Sequence, residues 1–198
     1  MLASQRNHAW QPIYTTPVAG KTVIVIDFGD LGQGAGRAAK KLGAKVIAVT
    51  RSGKAARPAD VVFPVSRIDR VLPTADFVIV TTPLTPETRN LLDRRRLDLL
   101  KPEACLVNIG RSPVVDYEAL REKLAQGTLA GAVLDVFQPE PLPADSPFWD
   151  TPNLIALPHV SCDDPRYVDR LLDFWFENLA RLRAGKRLKN LIDRRRGY

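Results

Sequence analysis

The sequence predicts an α/β fold: a doubly wound parallel sheet of Rossmann type, followed by a long C-terminal helix. Three observations carry this reading. Short apolar runs rich in β-branched residues alternate with stretches of helical period along most of the chain. The runs are apolar throughout, as strands buried on both faces of a parallel sheet must be. A glycine-rich turn, Asp27-Phe28-Gly29-Asp30-Leu31-Gly32, joins the first run to the first helical stretch.

In chain order, residues 1–20 lack periodicity and carry Trp10, Pro12 and Pro17, so they read as an irregular lead-in. Residues 23–26 are the first strand. Residues 31–42 form a helix ended by Gly43, and residues 46–49 the second strand. Residues 54–60 are a loop, 61–65 a short strand, and 66–72 a helix with Ser66 at its N-cap. Residues 77–80 are another buried strand. The prolines of Thr81-Thr82-Pro83-Leu84-Thr85-Pro86 forbid helix and ladder alike, which makes this a rigid loop at a strand's C-terminal end.

Residues 91–100 read as a helix stopped by Pro102, 105–109 as a strand, 117–126 as a helix closed by Gly127, and 130–136 as a strand. Residues 138–149 hold four prolines and read as an ordered, irregular excursion. Residues 155–157 are a last short strand ending at Pro158-His159. From 166 to 184 a long helix follows, because Val168, Leu171, Leu172, Trp175, Leu179 and Leu182 recur at three- and four-residue steps, with Phe174 and Phe176 widening the stripe. So wide an apolar face calls for a second surface to cover it. The expected division is a lead-in at 1–20, a dinucleotide-binding domain at 21–162, and a C-terminal helix with a basic tail at 163–198.

At 198 residues and 45% hydrophobic content, the chain supports one sizeable core and is short for two full domains. Its formal charge of +7 favours anionic ligands. The basic residues are dispersed, apart from Arg94-Arg95-Arg96 and Arg194-Arg195-Arg196, and no basic stripe is interleaved with aromatics. That pattern argues against specific nucleic-acid binding. Cys105 and Cys162 form neither a C-x-x-C nor a Cys/His spacing, so neither a disulfide framework nor a metal site is expected, and Cys105 reads as a small buried hydrophobe. No signal peptide or apolar run of membrane-spanning length occurs, and the expected setting is the cytoplasm.

In the dinucleotide fingerprint G-x-G-x-x-G, the glycines permit a tight turn and let a pyrophosphate approach a helix N-terminus. Gly29 and Gly32 fit its second and third glycines, so Gly29, Asp30, Leu31 and Gly32 form the predicted cradle. Asp27 then stands where the first glycine belongs. It adds a side chain at the tightest point of the turn and a negative charge near the phosphates. A shifted register through Gly32 and Gly34 would put the turn inside the helix.

At the end of the second strand, Thr50-Arg51-Ser52 stands in place of the acidic residue that binds the ribose hydroxyls of NAD. Arg51 beside Ser52 suits a 2′-phosphate, which favours NADP over NAD. Arg51 and Lys54 also read as a solvated loop.

Arg111, Glu140 and His159 each follow a predicted strand end, on the edge where open α/β sheets collect ligands. An arginine forks onto a carboxylate, a histidine exchanges a proton near neutral pH, and a glutamate beside it holds the ring and favours its charged form. Taken singly they read as a surface arginine, a loop glutamate and a strand-capping histidine. Their shared edge makes them a candidate site. A Ser-His-Asp hydrolase is disfavoured, since no G-x-S-x-G occurs.

Together, the turn at Gly29 to Gly32, Thr82-Pro83-Leu84-Thr85, Asn108-Ile109-Gly110-Arg111, Asp135-Val136-Phe137 with Glu140-Pro141-Leu142, and Pro158-His159 resemble the cofactor-binding domain of the D-isomer-specific 2-hydroxyacid dehydrogenases. That family includes glyoxylate/hydroxypyruvate reductases and phosphoglycerate dehydrogenase. The resemblance runs from about residue 20 to 185, with the motifs in the family's order. It implies that Arg111 binds the substrate's carboxylate and carbonyl, that His159 is the acid/base on the C2 oxygen, and that Glu140 pairs with His159. It implies also that Asp135 helps to hold the nicotinamide amide, and that Thr82, Pro83 and Ile109 line the cofactor.

The departures are Asp27 for the first glycine, Ser112 and Cys162 where the family often has glycine, and the lack of most of the domain that precedes the cofactor domain in family members. Two expectations follow. One is an NADP-preferring reductase of small 2-keto acids such as glyoxylate or hydroxypyruvate, with NAD as the other cofactor. The other is a catalytically silent dinucleotide-binding remnant or interaction module. The resemblance further implies a homodimer packed through its cofactor domains.

Overall fold

The computed structural model describes residues 7–10 and 16–194. Its strands are β1 (Thr22–Ile26), β2 (Lys45–Thr50), β3 (Val61–Pro64), β4 (Phe77–Val80), β5 (Cys105–Asn108), β6 (Gly131–Leu134) and β7 (Leu154–Ala156). They form one seven-stranded sheet in the order β3-β2-β1-β4-β5-β6-β7, parallel at every pairing. The helices are α1 (Asp30–Lys41), α2 (Ile68–Val71), α3 (Arg94–Leu97), α4 (Tyr117–Ala125) and α5 (Tyr167–Arg183). The chain winds outward from β1 to β3, crosses back to pair β4 with β1, and winds outward again to β7. That reversal opens a crevice at the C-terminal ends of β1 and β4.

The β-branched run of β1 explains its central place. Val23 and Val25 pack on one face with Phe28, Ala39, Val46 and Ala48, while Ile24 and Ile26 pack on the other with Val78, Val80, Leu106 and Leu120. Each buried aliphatic side chain of this size contributes about 1.5–3 kcal/mol, so β1 ties two apolar layers together. Helix α1 carries Asp30 in its first turn and Lys40 and Lys41 in its last, matching its dipole.

Three expectations need correction. Residues 66–72 do not form one helix capped by Ser66. A 3₁₀ turn at Val65–Arg67 leads into a single α turn, α2, and a second 3₁₀ turn at Leu72–Thr74 carries Pro73; no side chain caps α2. Residues 91–100 shorten to α3, because Leu92 forms an isolated parallel bridge with Val115 and the Asp93 side chain caps the helix by accepting the Arg96 N–H at 2.8 Å. Cys105 is half-buried, not enclosed.

The basic run at Arg94-Arg95-Arg96 is spent inside the fold. Arg94 pairs with Glu122, and Arg95 and Arg96 both pair with Asp69, each at 2.8 Å. Of the second basic run, Arg195 and Arg196 lie outside the described residues, as does Pro12 of the lead-in. No residue of α5 is buried, and Val168, Leu171, Trp175, Phe176 and Leu182 are each more than half exposed. Among the described residues, no helix is long and apolar enough to cross a membrane.

Candidate active site

The crevice is shaped by the turn after β1. Asp27 takes a left-handed backbone with φ of 66°, and its N–H donates to the Val49 carbonyl at 2.9 Å, which fixes the turn against β2. Gly29 is the N-cap of α1 and no side chain caps the helix, so the first-turn N–H groups of α1 are left for a ligand. A Cβ on Gly32 would fall 2.2 Å from the Asp27 carbonyl oxygen, so only glycine lets the helix start this close to the strand. Because α1 begins at Asp30, Gly34 lies within it, and the shifted register has no turn to occupy.

Thr81 and Thr82 clamp the turn from β4. Their hydroxyls donate to the Asp27 carbonyl at 2.9 Å and to the Ile26 carbonyl at 3.1 Å, respectively. Between the ends of β1, β2 and β4 lies a cavity of about 330 Å³ lined by Asp27, Val49, Arg51, Thr82, Pro83 and Glu87, among others. Ser52 is exposed beside Arg51, and its Oγ accepts the Lys54 N–H at 3.4 Å.

The glycines and helix end thus fit a dinucleotide's phosphates, with Asp27 as the discordant group. Its carboxyl is pushed above the ordinary aspartate value by burial, which the backbone N–H groups of Phe28 and Gly29 offset only in part.

The loop after β5 lies directly on the loop after β4. A Cβ on Gly110 would meet the Thr82 carbonyl oxygen at 2.7 Å, so this contact requires glycine. Ile109 is half-buried there, its N–H donating to the Val80 carbonyl at 3.0 Å. Arg111 is exposed, and its guanidinium donates to the Gly110 carbonyl at 2.7 Å.

Beneath them, fully buried Asn108 donates to the Tyr117 hydroxyl at 2.9 Å and to the Arg111 carbonyl at 3.2 Å, while its Oδ1 accepts the Gly110 N–H at 3.0 Å. The Tyr117 hydroxyl in turn donates to the Val136 carbonyl at 2.8 Å. One buried network therefore ties the Arg111 loop to the segment that carries Asp135 and Glu140.

Glu140 reaches His159 across that edge, with Oε2 2.9 Å from Nδ1, while its Oε1 accepts the Phe137 N–H at 2.7 Å. The hydrogen bond to His159 and then that from Phe137 hold the Glu140 carboxyl below its ordinary value, with the charges of His159 and Arg111 adding to the effect. A second cavity of about 700 Å³, mostly apolar, adjoins the His159 and Glu140 pair and is lined by Phe137, Leu142, Trp149, Leu157 and both members.

Asp135 is almost fully buried and faces the loop that follows His159. Its carboxylate accepts the Val160 N–H at 2.7 Å, the Ser161 N–H at 2.9 Å and the Ser161 hydroxyl. Burial alone would raise this carboxyl, but the donors from Ser161 and Val160 outweigh it and hold the group below its ordinary value. Its observed contacts therefore position His159, whose own backbone is left-handed with φ of 57°.

The fold brings Arg111, Glu140 and His159 to one edge, with Asp135 beneath. Arg51, Thr82 and Pro83 line the neighbouring cavity, Gly29, Asp30, Leu31 and Gly32 form the N-cap and first residues of α1 after β1, and Ser52 and Ile109 lie just past the ends of β2 and β5. Sequence reasoning missed Thr81, Asn108, Tyr117 and Ser161 as positioning groups. A single amide closing the apolar run of β5 is the signal that would have found Asn108.

A parallel sheet with a glycine-started, uncapped helix at its switch point, and an arginine and a carboxylate–imidazole pair following strand ends on the same edge, has the architecture of a dinucleotide-binding domain. Residues 1–161 match the D-isomer specific 2-hydroxyacid dehydrogenase family, NAD binding domain, and the chain belongs to that family.

A glyoxylate reductase of Thermococcus onnurineus is 33% identical over 192 residues, covering 96% of this chain and 57% of the relative. An NADPH-dependent glyoxylate/hydroxypyruvate reductase from Sinorhizobium meliloti, in complex with NADP and sulfate, superposes with a TM-score of 0.89 at 31% identity, covering 100% of this chain and 63% of that one. A D-isomer specific 2-hydroxyacid dehydrogenase from Xanthobacter autotrophicus Py2, in complex with NADPH and MES, gives 0.87 at 36% identity, covering 100% of this chain and 81% of that one. The chain spans less than two thirds of the length of the curated relatives it matches.

Proposed function

We propose that this protein is an oxidoreductase that transfers a hydride between NADP(H), or less readily NAD(H), and a small 2-hydroxy or 2-keto acid such as glyoxylate or hydroxypyruvate. The observation that carries the reading is the 2.9 Å contact between His159 and Glu140, whose carboxylate also feels the charge of Arg111. Arg111 would fork onto the substrate carboxylate and polarise the C2 carbonyl. His159, held through Nδ1 by Glu140, would deliver a proton from its other ring nitrogen to the C2 oxygen during reduction and recover it during oxidation. The nicotinamide, when bound, supplies or accepts the hydride.

Gly29, Asp30, Leu31 and Gly32 would carry the pyrophosphate on the N-terminus of α1. Thr82, Pro83, Ile109 and Asp135 would border the nicotinamide end. Arg51 and Ser52 would take the 2′-phosphate, and the NADP and NADPH bound by the two similar structures support that preference. A homodimer through the cofactor domains would cover part of α5, and sedimentation showing only monomer at micromolar concentration would overturn that part. A cytoplasmic setting accords with two unpaired cysteines.

A second reading, a silent dinucleotide-binding module, is favoured by one feature: the His159 and Glu140 side chains are 46% and 39% exposed, so water is poorly excluded from the pair. Oxidation of NADPH and NADH by the full chain, followed by absorbance with glyoxylate and with hydroxypyruvate, separates the two. Turnover fastest with NADPH and nearly abolished in H159A is the expected result. Calorimetric cofactor binding without turnover establishes the module, and neither binding nor turnover overturns both readings.

A further inference from the structure

We infer that Asp27 is a proton-linked determinant of cofactor affinity, its carboxylate standing at the start of α1 so that the nucleotide binds tightly only when that group is neutral. The inference rests on the dinucleotide reading above and adds to it a residue of this chain that works against the cofactor's phosphates.

Asp27 holds a left-handed backbone, the conformation a glycine would adopt freely, and its side chain lies over the next residues of the turn, with Oδ2 3.4 Å from where a Cβ on Gly29 would be. The backbone N–H groups of Phe28 and Gly29, at the threshold of the helix end that a pyrophosphate would use, act on its carboxyl, and Asp27 lines the cavity between β1, β2 and β4.

The charged groups that line the cavity with it are Arg51 from the end of β2 and Glu87 from the loop after β4, and Asp30 follows three residues on in the first turn of α1. Arg51 also acts on Glu87, whose carboxyl its charge helps to lower. Thr81 and Thr82, packed against the turn from β4, direct their hydroxyls to the backbone carbonyls of Ile26 and Asp27. Of the charged residues lining the cavity, Asp27 and Glu87 are acidic and Arg51 is basic.

A diphosphate entering here brings like charge up to the carboxylate in a setting that already disfavours ionisation, and two anions so close cannot both stay charged without cost. By linkage, nucleotide binding must then draw a proton onto Asp27, and affinity must fall as pH rises through the titration of that group.

The experiment is calorimetric titration of the full chain with NADPH and with NADH between about pH 5 and pH 8, in buffers of different ionisation enthalpy. Wild type is expected to bind about tenfold more weakly at the upper end, the equivalent of one pKa unit of coupling, and to take up protons on binding. D27N keeps the shape of the side chain and tolerates a left-handed backbone, and D27G relieves it. Both are expected to bind about tenfold more tightly than wild type at the upper end, with the extra proton uptake gone. The 2′-phosphate of NADP(H) itself titrates near about pH 6, so the decisive reading is the difference between wild type and D27N, and its persistence with NADH.

D27N running parallel to wild type in both affinity and proton uptake overturns the role of Asp27 and leaves the dinucleotide reading standing. Failure of wild type and both variants to bind either nucleotide at any pH overturns the dinucleotide reading and this inference with it.

Discussion

Glu140 presents one carboxylate oxygen to Nδ1 of His159 at 2.9 Å and the other to the backbone N–H of Phe137 at 2.7 Å. The carboxylate is fixed by the loop it helps to shape, and the imidazole is oriented through it. E140Q keeps a group of similar size but removes the charge that favours an imidazolium. It is expected to lower kcat for keto-acid reduction by about 10²-fold or more while leaving cofactor Kd within about twofold. Steady-state kinetics paired with calorimetry checks this, and an unimpaired kcat would show that the pair takes no part in proton transfer.

The amide of Asn108 joins the Gly110 N–H, the Arg111 carbonyl and the Tyr117 hydroxyl in one buried network. N108A strands the Gly110 N–H away from water and takes a donor from the Arg111 carbonyl and from the Tyr117 hydroxyl, which keeps its bond to the Val136 carbonyl, an expected loss of about 2–4 kcal/mol of unfolding free energy. Y117F removes one hydroxyl and is expected to cost about 1–2 kcal/mol. Both variants act on the same contact, so the double mutant should fall short of the sum. Urea denaturation of the singles and the double gives the coupling, and strict additivity would mean that the two side chains do not act together.

How far the sequence reaches is visible in these same elements. The strands were legible because parallel strands buried on both faces must be largely apolar, and β1 shows this in four consecutive apolar β-branched residues, Val23 to Ile26. The shared edge of Arg111, Glu140 and His159 was legible because each follows a strand end by a few residues. The single-turn α3 was not. Leu91 and Leu92 have the spacing of a helix face, yet Leu92 bridges to Val115, a pairing settled by tertiary structure more than twenty positions away. Asp135 was legible as a site residue only through the family resemblance, and its contacts with Val160 and Ser161 arise from two loops meeting, which no local pattern records.

Two glycines of α1 should respond to the same substitution with opposite sign. A Cβ on Gly32 would sit 2.2 Å from the Asp27 carbonyl oxygen, where backbone must move, whereas a Cβ on Gly34 would meet nothing closer than an Arg37 guanidinium nitrogen at 4.0 Å. G32A is expected to cost about 1–3 kcal/mol of stability and to abolish nucleotide binding, since it displaces the start of the helix that forms the cradle. G34A lies in an open helical position and is expected to stabilise the protein by about 0.5–1 kcal/mol with binding unchanged. Thermal melts and nucleotide titrations of the two variants test the register, and equal tolerance at both positions would refute the close approach of helix and strand.

Asp135 supplies the clearest pH dependence of stability. Its carboxylate takes its donors from Val160 and Ser161, and its folded-state value is depressed. A depressed carboxylate stabilises the fold above the unfolded value of about 3.9, and the contribution disappears as pH falls through the lower folded value. Wild type should therefore lose stability steeply in acid. D135N, which cannot accept three donors as an anion does, should be weaker by about 2–3 kcal/mol at neutral pH and should show a shallower loss below about pH 4. Because the same contacts hold the backbone beside His159, kcat of D135N should fall together with stability. A variant whose stability runs parallel to that of wild type across the acid range would mean that the charge of Asp135 contributes nothing to holding this loop.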